Sequence, residues 1–355
     1  MVNRFTPEIS RGAAATAACR PRLGFIGLGW IGAARMKTVA ESGSADIAGL
    51  MDSAPEALRA AAAQAPNAVV APDLESLLAL DLDGVVIATP TALHAPQAIS
   101  SLGSGAAVFC QKPLGRSAAE TTQVITAARS SNRLLAVDMC YRFVRAFTLI
   151  KEIVQAGEVG ELYACDLVFH NAYGPDKPWY YDRKLSGGGC VVDLGIHLID
   201  LALWFLDAPR LRAVSSRRFA QGRALSDGDP ALEDYAVARL DFVSGASAAI
   251  TCSWNLPAGR DAIIRAAFYG TQGGVAVRNV KGSFYDFRAE RYRRTATEIL
   301  DEAPDPWGGR ALAAWVNKLA TTRDYDPAIE SARTVAAVID AIYGRETALA
   351  TEEIR

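Results

Sequence analysis

The chain has no Cys-x-x-Cys pair and no other cysteine spacing of the kind that binds zinc. Its six cysteines (Cys19, Cys110, Cys140, Cys165, Cys190 and Cys252) are scattered. This excludes a zinc-ribbon scaffold and reads as small, buried apolar residues kept reduced, so no metal site is expected and a cytoplasmic setting is. An excess of either charge is also missing. Against 39 Asp and Glu stand 37 Lys and Arg, a formal net charge of −2, which gives neither nucleic acid nor an anionic membrane a reason to bind. No apolar run reads as a membrane span, and there is no internal repeat. The Ala-rich stretch around Gly12–Cys19 imitates a secretory signal but has too short an apolar centre, with Glu8 ahead of it. Residues 1–20 are therefore expected to form a flexible extension.

What is present is a chain of 355 residues, half of them hydrophobic and 21% charged. That is globular composition, at a length that calls for two domains. From Arg22 to about Asp138, short apolar runs (Leu23–Leu28, Ile47–Met51, Gly84–Ala88, Ala106–Cys110, Leu134–Val137) alternate with helical stretches (Pro55–Ala65, His94–Leu102, Ala118–Ala128). Uninterrupted apolar strands between helices predict a parallel sheet covered on both faces. After Tyr141 the pattern changes. A helix at Phe147–Gln155, a strand at Leu162–His170 and a long apolar helix at Val191–Phe205 precede strand-like runs at 213–219, 234–242, 246–254, 262–269 and 274–277, with a hairpin at Ser244–Gly245. The expected architecture is an α/β Rossmann domain (residues 21–140) followed by an α+β domain (141–355). The latter should carry a large, mainly antiparallel open-faced sheet, and its last helices, 309–321 and 327–343, should return to the first domain.

The first strand runs into Gly27-Leu28-Gly29-Trp30-Ile31-Gly32, a GxGxxG that opens a helix. Gly27 permits the tight turn, Gly29 lets backbone approach a pyrophosphate, and Gly32 lets helix and sheet pack closely. The free N–H groups of the helix start supply an anion site. Asp52 ends the second strand 20 residues later, where a carboxylate meets ribose hydroxyls and repels a 2′-phosphate; Ser53 after it brings no arginine. NAD rather than NADP is the expected cofactor. The plainer reading makes Asp52 a cap for the helix at Pro55.

Three further segments carry polar groups at the ends of buried elements: Val85–His94 (VVIATPTALH), Ala107–Pro113 (AVFCQKP) and Ser186–Asp200 (SGGGCVVDLGIHLID). In the last, Asp193, His197, Asp200 and Trp204 recur at helical spacing on one otherwise apolar face. Buried polar groups need partners, and substrate hydroxyls would serve. The alternative is a satisfied core, with Asp193 capping the helix and His197 bonded to Asp200 or to backbone.

With GFIGLGWIG, ATPTALH, QKP, Tyr141-Arg142-Phe143, the glycine-run block and Phe268–Gly273 on the page, the chain resembles the glucose–fructose oxidoreductase, inositol dehydrogenase and MocA (Gfo/Idh/MocA) family from Arg22 almost to its end. The resemblance implies a nicotinamide enzyme acting on a sugar, cyclitol or related polyol, with Lys112, Asp193 and His197 as the catalytic trio. A histidine suits the base that takes the hydroxyl proton. Lys112 suits stabilisation of negative charge on the reacting oxygen, and Asp193 suits orientation. Candidate cofactor contacts are Gly27, Gly29, Trp30, Ile31, Asp52 and Ser53 on one side and Thr89, Pro90, His94, Gln111 and Lys112 on the other. Candidate substrate contacts are Lys112, Arg142, Trp179, Tyr181, Asp193 and His197. The loop Trp179–Lys184 reads equally as a sugar-facing aromatic patch and as a packed surface loop. The family usually has Glu where Gln111 stands, and loss of that carboxylate is expected to make Lys112 easier to deprotonate. The resemblance further implies a homodimer or homotetramer joined through the open sheet. Two other functions fit the motifs: a redox-neutral glycosidase that retains NAD, and a non-catalytic NAD or sugar sensor.

Overall fold

The computed structural model describes residues Arg20–Arg345; apart from Arg20, the expected N-terminal extension lies outside the described residues. Six parallel strands, β1 (Arg22–Ile26), β2 (Asp46–Met51), β3 (Val69–Val70), β4 (Gly84–Ile87), β5 (Ala107–Cys110) and β6 (Leu135–Val137), form a sheet in the order β3-β2-β1-β4-β5-β6. This is the doubly wound Rossmann order, with its crevice between β1 and β4 where the winding reverses. Strands β4 and β5 are buried at every position, which is why they read as unbroken apolar runs. Helices α1 (Trp30–Ser42), α2 (Pro55–Gln64), α3 (Leu74–Leu78), α4 (His94–Gly103) and α5 (Ala118–Ser130) alternate with them. Ser117 caps α5 by accepting from Glu120 N–H, and the Glu120 carboxylate reaches back to Arg116 N–H, an arrangement that fixes the helix start directly after the β5 loop.

The second domain opens with α6 (Arg145–Gln155), β7 (Leu162–Asn171), α7 (Arg183–Ser186) and α8 (Ile196–Phe205). A nine-stranded sheet then builds around β7 from β8 (Leu211–Ala220), β9 (Arg223–Leu225), β10 (Tyr235–Phe242), β11 (Ser247–Ser253), β12 (Ala262–Gly270), β13 (Gly273–Asn279), β14 (Phe287–Arg293) and β15 (Ala296–Glu302). Its order is β15-β14-β13-β12-β7-β11-β10-β8-β9. Only β7 and β11 run parallel; every other pair is antiparallel. Helices α6, α8 and α10 (Ser331–Ile342) lie on one face. The sequence reading missed β14 and β15 because FRAERYR and ATEILDE are charge-rich; β15 is the edge, where charge discourages further pairing, and β14 lies next to it, paired on both sides.

Helix α9 (Arg310–Leu319) crosses back to the first domain, where Leu312, Trp315, Val316 and Leu319 pack with Phe25 and Phe109. Helix α10 bridges the two: Ala332 joins the Rossmann core, while Val335, Val338 and Ile339 join the core beneath the large sheet. One correction concerns membranes. The largely helical stretch Arg183–Phe205, interrupted by the glycine run, is long and apolar enough by composition to cross one, contrary to the sequence reading. In the fold its most apolar 18 residues are 89% buried and form the central core helix, whose apolarity is that of an element enclosed on all sides.

Candidate active site

The β1–α1 turn is shaped by contact distances. Gly27 has φ +82°, and a Cβ there would lie 2.5 Å from the Ala88 carbonyl carbon; at Gly32 one would lie 1.9 Å from Gly27 O. A Cβ at Gly29 would meet nothing within 4 Å, so this position borders open space at the start of α1, which carries no side-chain cap. Backbone donors without partners beside an open space fit a pyrophosphate. Asp52 uses one oxygen to accept from Leu28 N–H (2.5 Å) and the other from Ala54 N–H (2.7 Å). Each oxygen keeps a further lone pair for a ribose hydroxyl. Asp52 is thus joined to the glycine turn, and it is not the N-cap of α2, which is Ala54. Trp30 is 71% exposed at the head of α1, Ile31 is half-buried behind it, and Ser53 is exposed beside Asp52.

On the other side of the crevice, Thr89 Oγ1 donates to Gln97 Oε1 (2.7 Å), and Pro90 leads into a short 3-10 turn. His94 corrects the sequence reading. It is buried, with Nδ1 2.7 Å from Pro113 O and Nε2 2.7 Å from Thr89 O, so neither nitrogen is left for a cofactor. It braces the ends of β4 and β5 instead. Burial lowers its pKa, and the charge of Lys112 adds to this against the pull of the two carbonyls. A neutral ring donates through one nitrogen only, so it can hydrogen-bond just one of these two carbonyls at a time.

Lys112 and Asp193 meet across the domain boundary. Lys112 Nζ donates to both the backbone O and Oδ1 of Asp193 (2.7 Å each), while Asp193 Oδ2 accepts from Trp254 Nε1 (3.0 Å). Burial alone would lower the lysine's pKa, but the adjacent Asp193 carboxylate, joined by Tyr180 and Cys140, opposes it and the net shift is upward. Asp193, not residue 111, is the anionic neighbour that Lys112 touches.

Asp193 does not sit on a regular α-helix. Val191–Gly195 forms a π turn that passes into α8, a local widening common at functional sites. Behind it lies a buried anchor. Glu233 Oε1 accepts from Gly189 N–H and Val191 N–H (3.0 Å each) and from Tyr343 O–H (2.6 Å). The glycine run is dictated by this packing, since a Cβ at Gly189 would lie 2.1 Å from Glu233 O, and one at Gly188 2.1 Å from Tyr343 Oη.

His197 follows one turn on, its ring 4.9 Å from that of Tyr141. It forms no hydrogen bond among the described residues, so the satisfied-core alternative does not hold. Burial, then the charge of Lys112, pushes its pKa well below 6.5, leaving a neutral imidazole at pH 7. Asp200 and Arg142 are a correction. Arg142 Nε and Nη2 grip Asp200 at 2.8 and 2.5 Å, with the guanidinium 5.8 Å from the Trp204 ring. A fork bound on both prongs to a buried carboxylate is a structural pair, not a free substrate clamp.

In the preceding loop, Trp179 stacks on Tyr180 (3.8 Å, 22°), and Tyr181 is 52% exposed, donating to Pro175 O. Tyr180 lies in the candidate loop but was not among the candidate substrate contacts. Burial first, then Asp193, pushes its phenol up to about 12, partly offset by Lys112, which puts it within reach of the pair's field. Trp254, Glu233 and Tyr343 were also missed. Each comes from far along the chain with no local motif, and only the fold brings it to the glycine run. Among the described residues no cluster fit to hold a metal occurs, and the five described cysteines are free thiols.

The chain is similar to known proteins over both of its halves. Residues 21–139 match the model of an oxidoreductase family with an NAD-binding Rossmann fold, and residues 147–276 match the GFO/IDH/MocA C-terminal domain. An inositol 2-dehydrogenase of Acidothermus cellulolyticus is 27% identical over 346 residues, covering 89% of this chain and 94% of that protein. A D-glucoside 3-dehydrogenase of Escherichia coli is 27% identical over 243 residues, covering 65% and 69%. In fold, the chain superposes on a levoglucosan dehydrogenase in complex with NADH with a TM-score of 0.77 at 21% identity, over 92% of this chain and 96% of that one.

Proposed function

Because the chain belongs to the Gfo/Idh/MocA family of NAD-binding oxidoreductases, we propose that it oxidises a secondary hydroxyl of a sugar, cyclitol or related polyol at the Lys112–Asp193–His197 cluster. The observation that carries this reading is the Lys112–Asp193 contact at 2.7 Å beside a neutral, unbonded His197. The glycine turn and Asp52 fit NAD, which when bound supplies the hydride acceptor. Lys112, held cationic by Asp193, stabilises negative charge growing on the substrate oxygen. His197 Nε2 or Nδ1 takes the hydroxyl proton. An imidazolium beside Lys112 is costly, so that proton is given up to solvent water and the neutral ring is restored for the next turnover. Asp193 orients Lys112, Trp254 orients Asp193, and Trp179 and Tyr181 offer aromatic surface to a sugar ring. Inositol and D-glucoside, named in the relatives, indicate the substrate class.

The test is absorbance near 340 nm after adding NAD to a panel of sugars and cyclitols. NADH formation on at least one is expected. Turnover of glycosides without net NADH would instead favour the redox-neutral alternative. We further propose a homodimer or homotetramer assembled through the large sheet in the cytoplasm, a setting that suits the free thiols. The helices cover one face, while the other, carrying Val168, Val237 and Ile263, has no covering element among the described residues. Light scattering that returned a monomer of 37.8 kDa at micromolar concentration would reject this assembly.

A further inference from the structure

Beneath the nicotinamide side of the crevice lies a buried chain of three polar residues that the catalytic cluster does not use. Arg35, on α1 one turn beyond the glycine loop, donates from Nε to Asp138 Oδ2 at 2.7 Å. Gln111, directly before Lys112, donates from Nε2 to the same oxygen at 2.5 Å. Asp138 follows β6 and is 1% exposed. Its other oxygen, Oδ1, is buried with no partner, so these two bonds hold the carboxylate. Arg35 neutralises its charge, which makes burial tolerable.

The arrangement fixes the polarity of the Gln111 amide. An ionised carboxylate only accepts, so the nitrogen of Gln111 must face Asp138 and its oxygen must face the other way. Gln111 Oε1 accepts no hydrogen bond among the described residues and is not among the sealed, unpartnered polar atoms. It is therefore an open acceptor adjoining Lys112 at the carboxyl end of β5, where ligands of doubly wound sheets bind. The cofactor offers one donor of matching type on its reactive ring, the carboxamide NH₂.

We propose that Arg35, Asp138 and Gln111 form one positioning unit, in which Asp138 locks the Gln111 amide so that Oε1 receives the nicotinamide carboxamide. The unit also ties α1, whose start faces the pyrophosphate, to the residue before Lys112. One buried side-chain chain thus sets both ends of the nicotinamide half of the cofactor relative to Lys112. A negative charge stands on Asp138, one hydrogen bond away from residue 111, rather than on residue 111 itself. This inference rests on the NAD reading above.

The experiment measures NADH affinity, by fluorescence of the bound nucleotide without substrate, together with Tm, for four proteins besides the wild type. Gln111→Met keeps volume and loses the acceptor; NADH should bind about 10-fold more weakly with only a small change in Tm. Gln111→Glu brings a second carboxylate against Asp138, and both affinity and Tm should fall. Asp138→Asn should cost less than Gln111→Glu. Combining Gln111→Glu with Asp138→Asn restores one negative charge beside Arg35, and should return NADH affinity to within about threefold of wild type. Wild-type affinity and Tm in Gln111→Glu, or no recovery in the double variant, would overturn the positioning unit while leaving the NAD assignment intact. Should Gln111→Glu fail to fold, unchanged NADH binding in Gln111→Met would overturn it equally. A wild-type protein that bound no NADH would remove the cofactor reading and this proposal together.

Discussion

Replacing Asp193 by Asn changes one atom's chemistry and disturbs two hydrogen bonds at once. In the native site Oδ1 accepts from Lys112 Nζ and Oδ2 from Trp254 Nε1. An amide can accept on one side only, so in either orientation its NH₂ meets a donor, the lysine ammonium or the indole N–H. A hydrogen bond to a charged group is worth roughly 1.5–3 kcal/mol, and both side chains of the pair are mostly buried (18% and 16% exposed), so little of this is screened. Taking about 3 kcal/mol as the loss of stabilisation at the reacting oxygen gives roughly a 100-fold fall in kcat/KM. The pH profile carries a second, independent signature. Asp193 is the main group that opposes burial and keeps Lys112 cationic; with Asn that opposition is largely lost and the lysine's pKa falls. A group needed as the cation then loses its proton at lower pH, so the alkaline limb of kcat/KM should shift toward neutrality. Steady-state kinetics from pH 6 to 10, with NADH affinity as the control for folding, measure both effects. An alkaline limb that stayed in place with kcat within about threefold of wild type would refute the role given to Asp193.

His197→Ala should lower kcat about 10²–10⁴-fold with NADH affinity nearly unchanged, and higher pH should partly replace the missing base. Because burial depresses the His197 pKa, the neutral ring persists below pH 6.5 and the acid limb of wild-type kcat/KM should lie below the ordinary histidine range; a limb at or above 6.5 would argue against this assignment. The same depression bears on stability: the folded state takes up a proton less readily than the unfolded chain, so the His197 contribution is full above about pH 6.5 and is lost as pH falls. Asp52→Ala should narrow the preference for NAD over NADP in paired titrations, since the carboxylate that opposes a 2′-phosphate is gone. Glu233→Ala leaves the N–H groups of Gly189 and Val191 without their buried acceptor and opens a void, so Tm and kcat should both fall; an unchanged Tm would remove Glu233 as the anchor of the π turn.

Much of this was legible in the sequence because the signals were local. The GxGxxG turn, Asp52 at the end of β2 and the unbroken apolar strands follow from backbone geometry and burial over a few residues, and they located the cofactor half of the site. The 193-197-200-204 spacing placed polar groups on one helix face, although it could not separate Asp193, bonded to Lys112, from Asp200, bonded to Arg142. That distinction is made by which side chain the fold brings opposite each carboxylate. For the same reason His94, which looked available at a strand end, proved to be occupied by two carbonyls. Residues 111 and 138 appeared unrelated in the sequence, and only the pairing of β5 with β6 brings Gln111 against Asp138. The charged strands β14 and β15 escaped notice because charge, which protects the edge at β15, also erases the apolar alternation by which strands are recognised.

The central claim is hydride transfer from a substrate carbon to NAD at the Lys112–Asp193–His197 cluster. It is tested most directly with a polyol that the enzyme turns over, deuterated at the carbon bearing the reacting hydroxyl, by mass spectrometry of the reduced cofactor. The account predicts that the deuterium appears in the NADH formed, one atom per turnover, and that Lys112→Met abolishes most of this transfer while still binding NADH. Product formed with no reduced cofactor, or NADH carrying no deuterium, would contradict it.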